Sequence, residues 1–289
     1  MHHALLRRLT GFCGLVLAGT LLWEPAAFAK DAAVQELDTQ FARQVDHRLE
    51  LPLSDQGLYI GLAQKALTQA QQTDLAAQTF LVIDRNPFIQ AAFLLLLTDT
   101  GEWHWVGAST VSTGKPGGFE HFITPRGVFL HSPDNPDFRS AGTYNKNHIR
   151  GYGVRDMRIF DFGWQMAERG WGDGGSSSMR LAVHATDPER LEARLGSVAS
   201  EGCIRIPASL NHFLDHYGVL GADYEAAVAG GKHLGVLLPD RQPLPWAGRY
   251  LIVIDSEATQ RPLWSPAPGA KPKTTAAQSR RTEHSRPTS

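Results

Sequence analysis

Apolar positions along the chain change their period near residue 78. Val34, Leu37, Phe41, Val45 and Leu49 recur at three- and four-residue steps, the spacing that lines one face of a helix. A helix over 31–49 is therefore expected, with Asp31 as its cap, and a second over 58–70. Together they make a helical N-terminal extension over 30–78 whose apolar stripe packs on the main domain. Beyond Gln78 the chain turns to short runs rich in β-branched and aromatic residues, bounded by turn formers. These predict strands over 79–84, 91–98, 103–111, 127–131, 157–162, 179–184, 233–238 and 250–255. Asp99-Thr100-Gly101 joins the second and third as a hairpin. Helices are expected over 187–195, opened by Asp187-Pro188-Glu189, and over 208–217. The expected fold class is mainly β with flanking helices, in a domain spanning 79–256.

The segments 134–156 and 170–178 interrupt the strands with loop chemistry, and long loops on a β scaffold often carry a site. At the N-terminus, Arg7 and Arg8 precede an apolar run from Phe12 to Trp23 and then Ala27-Phe28-Ala29, the pattern of a cleaved secretory signal over 1–29. The run is shorter than the roughly 20 residues a spanning helix needs, so no stable membrane insertion is expected once it is removed. Residues 266–289 are Pro, Ala, Ser and Thr with Lys271, Lys273, Arg280, Arg281 and Arg286, the composition of a disordered, mildly basic tail. The 289 residues are 42% hydrophobic and carry a formal net charge of -1. That content supports an ordinary core, and that charge gives no global field to draw the chain onto nucleic acid.

Cysteine usage narrows the chemistry. Cys13 leaves with the signal, so Cys203 is the single thiol of the mature chain and no intramolecular disulfide can form. A lone thiol in an oxidising compartment is either a buried small hydrophobe or a chemical group. Its neighbours bear on the choice. The alternating run Met179 to Val183 delivers His184 at the end of a strand, where a sheet holds it rigidly, and an imidazole is the usual activator of a thiol. Gly202 beside Cys203 would leave room for a substrate carbonyl and free main-chain N–H groups for an oxyanion. The third group, orienting the ring, is either a backbone carbonyl near Ala185 or Asp187, which reads equally as a helix cap. Arg205, two residues past the thiol, points to the same side if the segment is extended; it is a carboxylate clamp or a brace for loop carbonyls. Ser200 reads best as a loop hydrogen bonder. Arg205, Ser200 and Glu201 are the candidate substrate contacts. Tyr152, His148 and Trp171 either line the cleft or pack. His131, His148, His212, His216 and His233 are scattered without metal-ligand spacing, and Gly114-Lys115 lacks the rest of a phosphate loop. Neither a metal nor a cofactor is called for.

His184, fifteen intervening residues and then Ser200-Glu201-Gly202-Cys203-Ile204-Arg205 resemble the signature of the L,D-transpeptidase (YkuD-type) catalytic domain. Val111-Ser112-Thr113-Gly114-Lys115-Pro116-Gly117 and Thr124-Pro125-Arg126-Gly127-Val128-Phe129 are similar to that family's two upstream segments, with Thr113, Gly114, Thr124 and Pro125 as frame residues. The resemblance covers roughly 79–255. It implies a YkuD-type β-sandwich or barrel-like domain, export to the periplasm or cell wall, and peptidoglycan stem peptides as partners. It also implies Cys203 as nucleophile, His184 as general base and acid, Gly202 and Cys203 N–H groups on the oxyanion with Ala185 in support, and an amine of a second stem or a wall-linked protein as acyl acceptor. Glu201 stands where the family has His, and Ala185 where it has Gly. A carboxylate beside the thiol would raise the thiol's pKa, or would face away and bind a substrate amine.

Overall fold

The computed structural model describes residues 26–269. Residues 1–25 of the expected signal and 270–289 of the expected tail lie outside the described residues. The chain divides into two units, 1–36 and 37–289. Of the first, the described part is the opening of α1 (Ala26–Gln44). Among the described residues no helix is long and apolar enough to cross a membrane.

Helix α1 ends at Gln44 rather than Leu49 and begins before Asp31, which is therefore not its cap. In the second unit, Leu37, Phe41, Val45 and Leu49 are all buried, the apolar stripe continuing past the helix end. Phe41 meets Phe213 edge to face at 5.4 Å, and a Cβ on Gly107 would lie 2.3 Å from its ring. The missing side chain at Gly107 is what lets that ring reach the sheet. Helix α2 (Leu53–Gln69) begins at Leu53, upstream of the expected Leu58. The Pro52 carbonyl takes its first amides, and Asp55 sits favourably in its first turn.

The architecture is mainly β, built on two mixed sheets. The first has the order β3-β2-β1-β10-β5, from β1 (Gln78–Asp84), β2 (Ala91–Leu97), β3 (Trp103–Thr110), β5 (Gly127–Leu130) and β10 (Tyr250–Ile254). Its centre, β1, pairs antiparallel with β2 and parallel with β10. Strands buried on both faces read as unbroken apolar runs, as Phe80-Leu81-Val82-Ile83 and Leu251-Ile252-Val253 do here. Helix α2 lays Tyr59, Ala63 and Leu67 in a core cluster with Phe80, Val82, Phe93, Leu95 and Ile252.

The second sheet has the order β4-β7-β8-β9 with β6 also on β7, from β4 (Phe122–Ile123), β6 (Phe138–Arg139), β7 (Arg158–Arg169), β8 (Ser176–Ala185) and β9 (Ile204–Ile206). Strands β7 and β8 run further than expected, as a hairpin whose outer part alternates between exposed and covered positions. Helix α3 (Ala208–His216) lies where expected, and α4 (Ala222–Ala229) is a short alanine-rich helix that the apolar period did not mark.

Two expected elements are absent. Over 187–195 only the 3-10 turn Glu192–Arg194 forms. Asp187 Oδ1 accepts the amides of Glu189 and Arg190 while its carbonyl takes those of Leu191 and Glu192; the run ends before it can repay helix nucleation. The apolar run 233–238 is irregular, because its backbone is used otherwise. Leu237 N–H turns back to the Leu234 carbonyl, and the Val236 carbonyl takes Arg139 Nε at 2.8 Å.

Beside β7 lies a buried polar group. Arg158, 1% exposed, joins Asp137 at 2.7 Å and Asp215 at 3.1 Å, and its guanidinium sits over the Tyr224 ring. His131 directs Nδ1 to the Leu220 carbonyl at 2.6 Å and Nε2 to Asp137 at 2.9 Å. Burial works to raise the Asp137 carboxyl, but His131 and Arg158 outweigh it and hold it below the usual range. Asp137 also accepts the backbone amide of Asp161 at 2.8 Å, which anchors β7 where the candidate site begins.

Candidate active site

Residues directly opposite on paired strands share a face, and alternate residues along a strand return to it. On β8 and its parallel neighbour β9, His184 lies opposite Arg205 and Val183 opposite Ile204. Val183, Ile204 and Ile206 point to the core. The other face therefore carries Arg180, Ala182 and His184 from β8, with Arg205 from β9 and Cys203 just before it. Far apart in sequence, His184 and Cys203 are brought to the same face by the parallel pairing, His184 opposite Arg205 and Cys203 just before β9.

His184 is 4% exposed, and its Nδ1 donates to the Ala185 carbonyl at 2.7 Å. That bond fixes the tautomer and leaves the Nε2 lone pair as the basic position. Burial, aided by the Arg205 charge, lowers the imidazole to about 4, so the ring is neutral at pH 7. Tyr152 meets it edge to face at 4.8 Å and in turn meets Phe138 at 6.0 Å, making an aromatic wall on that side. Asp187 does not orient the ring; its oxygens hold the turn amides and the Arg150 amide at 2.8 Å. A Cβ on Gly153 would be 2.8 Å from that of Ala185, so the loop carrying Tyr152 sits tightly against the strand end.

Cys203 is partly exposed. Its thiol points to the Arg180 carbonyl at 3.5 Å and accepts from the Ala182 amide. Burial pushes the thiol's pKa up; the Ala182 amide and Arg205 pull the other way, and Asp161 and then Glu201 add to the rise. At rest this face thus carries a neutral thiol and a neutral imidazole. Glu201 is exposed, and its charge is the smallest of these influences on the thiol.

The loop before the thiol is held by the Val111–Thr124 region. Thr113 takes the Ala199 and Ser200 amides on its carbonyl, and the Ser112 and Arg205 backbones exchange bonds at 2.9 and 2.8 Å. Thr124 Oγ1 receives the Gly114 amide at 2.9 Å and donates to the Gly202 carbonyl at 2.6 Å. Gly114 is obligatory here, since a Cβ would fall 1.9 Å from the Phe122 carbonyl oxygen.

Two expectations are corrected. Gly202 does not leave an open path for a carbonyl: its φ is +136°, and an added Cβ would strike Met179 at 2.8 Å. It is glycine because the turn needs that conformation. Nor is its amide available to an oxyanion, since Ser200 Oγ accepts it at 3.1 Å while donating to the Cys203 carbonyl. Ser200 is accordingly the loop hydrogen bonder. Arg205 donates Nη1 to the Ala199 carbonyl at 3.0 Å, and its Nε is buried without a partner among the described residues. It braces the loop rather than reaching out as a clamp. His148 sits in the exposed turn 145–149 with a φ of 52°, and Trp171 packs edge to face on Phe122 at 4.8 Å.

Spacing of candidate motifs did not single out two residues on the thiol face, Arg180 and Asp161, whose side chains pair at 2.6 Å. The signal was present in one of them: Arg180 precedes His184 by two full strand alternations.

No family model matches the chain, and no curated protein matches it. Among solved structures, a crystal structure of a lysine-to-alanine mutant of the helical cell shape determining protein Pgp2 from Campylobacter jejuni is similar, with a TM-score of 0.30 and 12% identity over 79% of this chain and 55% of that one. The chain thus spans about half the length of that protein's chain, and the likeness is too slight to place it in a family.

Proposed function

We propose that this chain is an exported cysteine acyltransferase of the L,D-transpeptidase (YkuD-type) kind, acting on peptidoglycan stem peptides. The observation that carries the reading is that Cys203, in the turn leading into β9, lies toward the same sheet face as a neutral, tautomer-fixed His184 on the neighbouring strand β8. The ordered motif resemblance supports the substrate class.

Cys203 Sγ attacks the carbonyl carbon after the third residue of a stem peptide as His184 Nε2 takes the thiol proton. The Cys203 amide is the loop's donor for the tetrahedral oxyanion, because the Gly202 amide is committed to Ser200. Collapse breaks the C–N bond, the leaving D-alanine amine takes the proton from Nε2, and a thioester remains. An amine of a second stem or of a wall-linked protein then attacks the thioester, passing its proton through Nε2 to the departing sulfur. Exposed Glu201 is the group to receive that amine as its ammonium form approaches. Water in the same place would give an L,D-carboxypeptidase.

The test supplies a purified tetrapeptide stem with and without an amine acceptor, and follows free D-alanine and products by mass spectrometry. D-alanine release with cross-linked product is expected, lost in Cys203→Ala. Tripeptide alone would assign a carboxypeptidase. No product from folded protein would leave a non-catalytic wall-binding scaffold.

A further inference from the structure

Arg180 has the clearest unassigned chemistry on the molecule. It lies on the same sheet face as Cys203 and His184, its own carbonyl is 3.5 Å from the thiol, and its side chain is 46% exposed. Its Nε is fixed 2.6 Å from Asp161 Oδ2, a carboxylate 1% exposed. Asp161 is itself held, through Oδ1 by the Gly163 amide at 2.8 Å and through its own amide by Asp137. Among the described residues the guanidinium makes no bond through Nη1 or Nη2, so its outer edge is presented to solvent with its orientation already set.

The backbone explains how this cation comes to be there. Asp161 lies opposite Ala182 and Trp164 opposite Arg180, with the register shifting between Asp161 and Trp164. That bulge places one more residue on β7 than on β8 and so returns both Asp161 and Trp164 to the thiol face. Gly163, at φ +73°, permits it. Bulges beside a site re-aim side chains in this way, and here the result is a buried acid holding an exposed arginine beside a nucleophile, with Trp164, 67% exposed, next to it.

We infer that Arg180 is the carboxylate-binding, specificity-determining residue of the thiol site, receiving through Nη1 and Nη2 a carboxylate of the acyl donor that lies close to the attacked carbonyl. The inference rests on the proposed acyl transfer at Cys203. A guanidinium edge matches a carboxylate in two parallel hydrogen bonds, and holding it through Nε removes the rotamer entropy that binding would otherwise cost. Arg205, the arginine nearest the thiol in sequence, is spent on the Ala199 carbonyl. The ligand class is a peptide ending in a free carboxylate, as opposed to the same peptide capped as an amide.

Two measurements on the purified protein separate this inference from the reaction it serves. In the first, a tetrapeptide acid and its C-terminal amide are compared as acyl donors by the rate of Cys203 thioester formation. The wild type is expected to prefer the acid by about tenfold or more, chiefly through KM. Arg180→Gln should abolish that preference, and Arg180→Lys, which keeps the charge and loses the fork, should retain part of it. In the second, binding of acid and amide to Cys203→Ser is measured by calorimetry, with and without Arg180→Gln, so that no turnover is needed. Unfolding curves confirm that each variant is folded, and Arg180→Lys preserves a cation for Asp161 should the glutamine variant fail. Equal treatment of acid and amide by the wild type, or a preference surviving in folded Arg180→Gln, overturns the inference while acylation stands. Arg180-dependent acid binding without any acylation overturns the acyltransfer reading and keeps the Arg180 site. Absence of both overturns both.

Discussion

At the scale of single residues, the account depends on a proton. His184 is buried neutral and Cys203 has its pKa raised, so in the proposed reaction the thiolate is made during attack rather than stored. Alkylation of Cys203 by iodoacetamide should therefore accelerate with pH from 7 to 9, with no fast plateau below pH 6; such a plateau would reveal a preformed thiolate–imidazolium pair and contradict the pKa directions of both groups. The same burial affects stability. The unfolded imidazole binds a proton below about pH 6.5, whereas the folded one does so only near 4. Between those values the unfolded state takes up more protons, so stability is complete above about 6.5 and falls as the pH drops towards 4. The loss attributable to His184 is on the order of 3 kcal/mol. Urea unfolding at pH 7 and pH 4.5 should show a shallower fall in His184→Gln than in the wild type; equal falls would mean that the ring is not buried as described. Cys203 and His184 were legible because each sits in a short local pattern. Asp161 was not, since its value comes from a bulge and a cross-strand partner that no local pattern encodes.

At the scale of elements, the thiol loop is a suspended turn. Thr124 Oγ1 ties the Gly114 amide to the Gly202 carbonyl, and Ser200 Oγ ties the Gly202 amide to the Cys203 carbonyl. Ser200→Ala strands a buried amide and should cost about 1–3 kcal/mol, with a larger proportional loss of acylation because the turn that carries Cys203 loses its tie to the Cys203 carbonyl. Gly114→Ala drives a Cβ to 1.9 Å from a backbone oxygen and should cost at least the upper end of the roughly 1–3 kcal/mol typical of overpacking. Denaturant midpoints read with acylation rates check both. Midpoints unchanged in either variant would show that the loop has another support. The sequence marked Thr113, Gly114 and Thr124 as frame residues, and such they are. It marked Gly202 for the wrong reason: a glycine required by a positive φ looks the same in sequence as one that clears a path for substrate. The helix expected over 187–195 failed because Asp187, its cap, spends both its side chain and its carbonyl on a tight turn, a competition that period counting does not register.

For the whole molecule, the decisive contact is between β1 and β10, which pair in parallel from distant parts of the chain. The segment after β10 adds further ties, with Trp264 donating to Asp55, Arg261 to the Pro87 and Gly196 carbonyls, and Ser265 to the Ile89 carbonyl. A chain ending at Arg249 loses the neighbour of both β1 and β5 and should give no cooperative unfolding transition by circular dichroism; a native-like transition would show that the first sheet closes without β10. Alternation and unbroken apolar runs made most strands readable, but the order of strands in each sheet depends on crossovers that local pattern does not carry. That order matters for the proposed function, because parallel β8–β9 pairing is what brings His184 and Cys203 to one face. The most direct measurement of the central claim is the intact mass of the protein quenched during incubation with a tetrapeptide stem, followed by mapping of the modified peptide. An added tripeptidyl mass on Cys203, absent in Cys203→Ala and formed far more slowly in His184→Ala, is the predicted result. Folded wild-type protein that stays unmodified, or an adduct formed at full rate without His184, would contradict it.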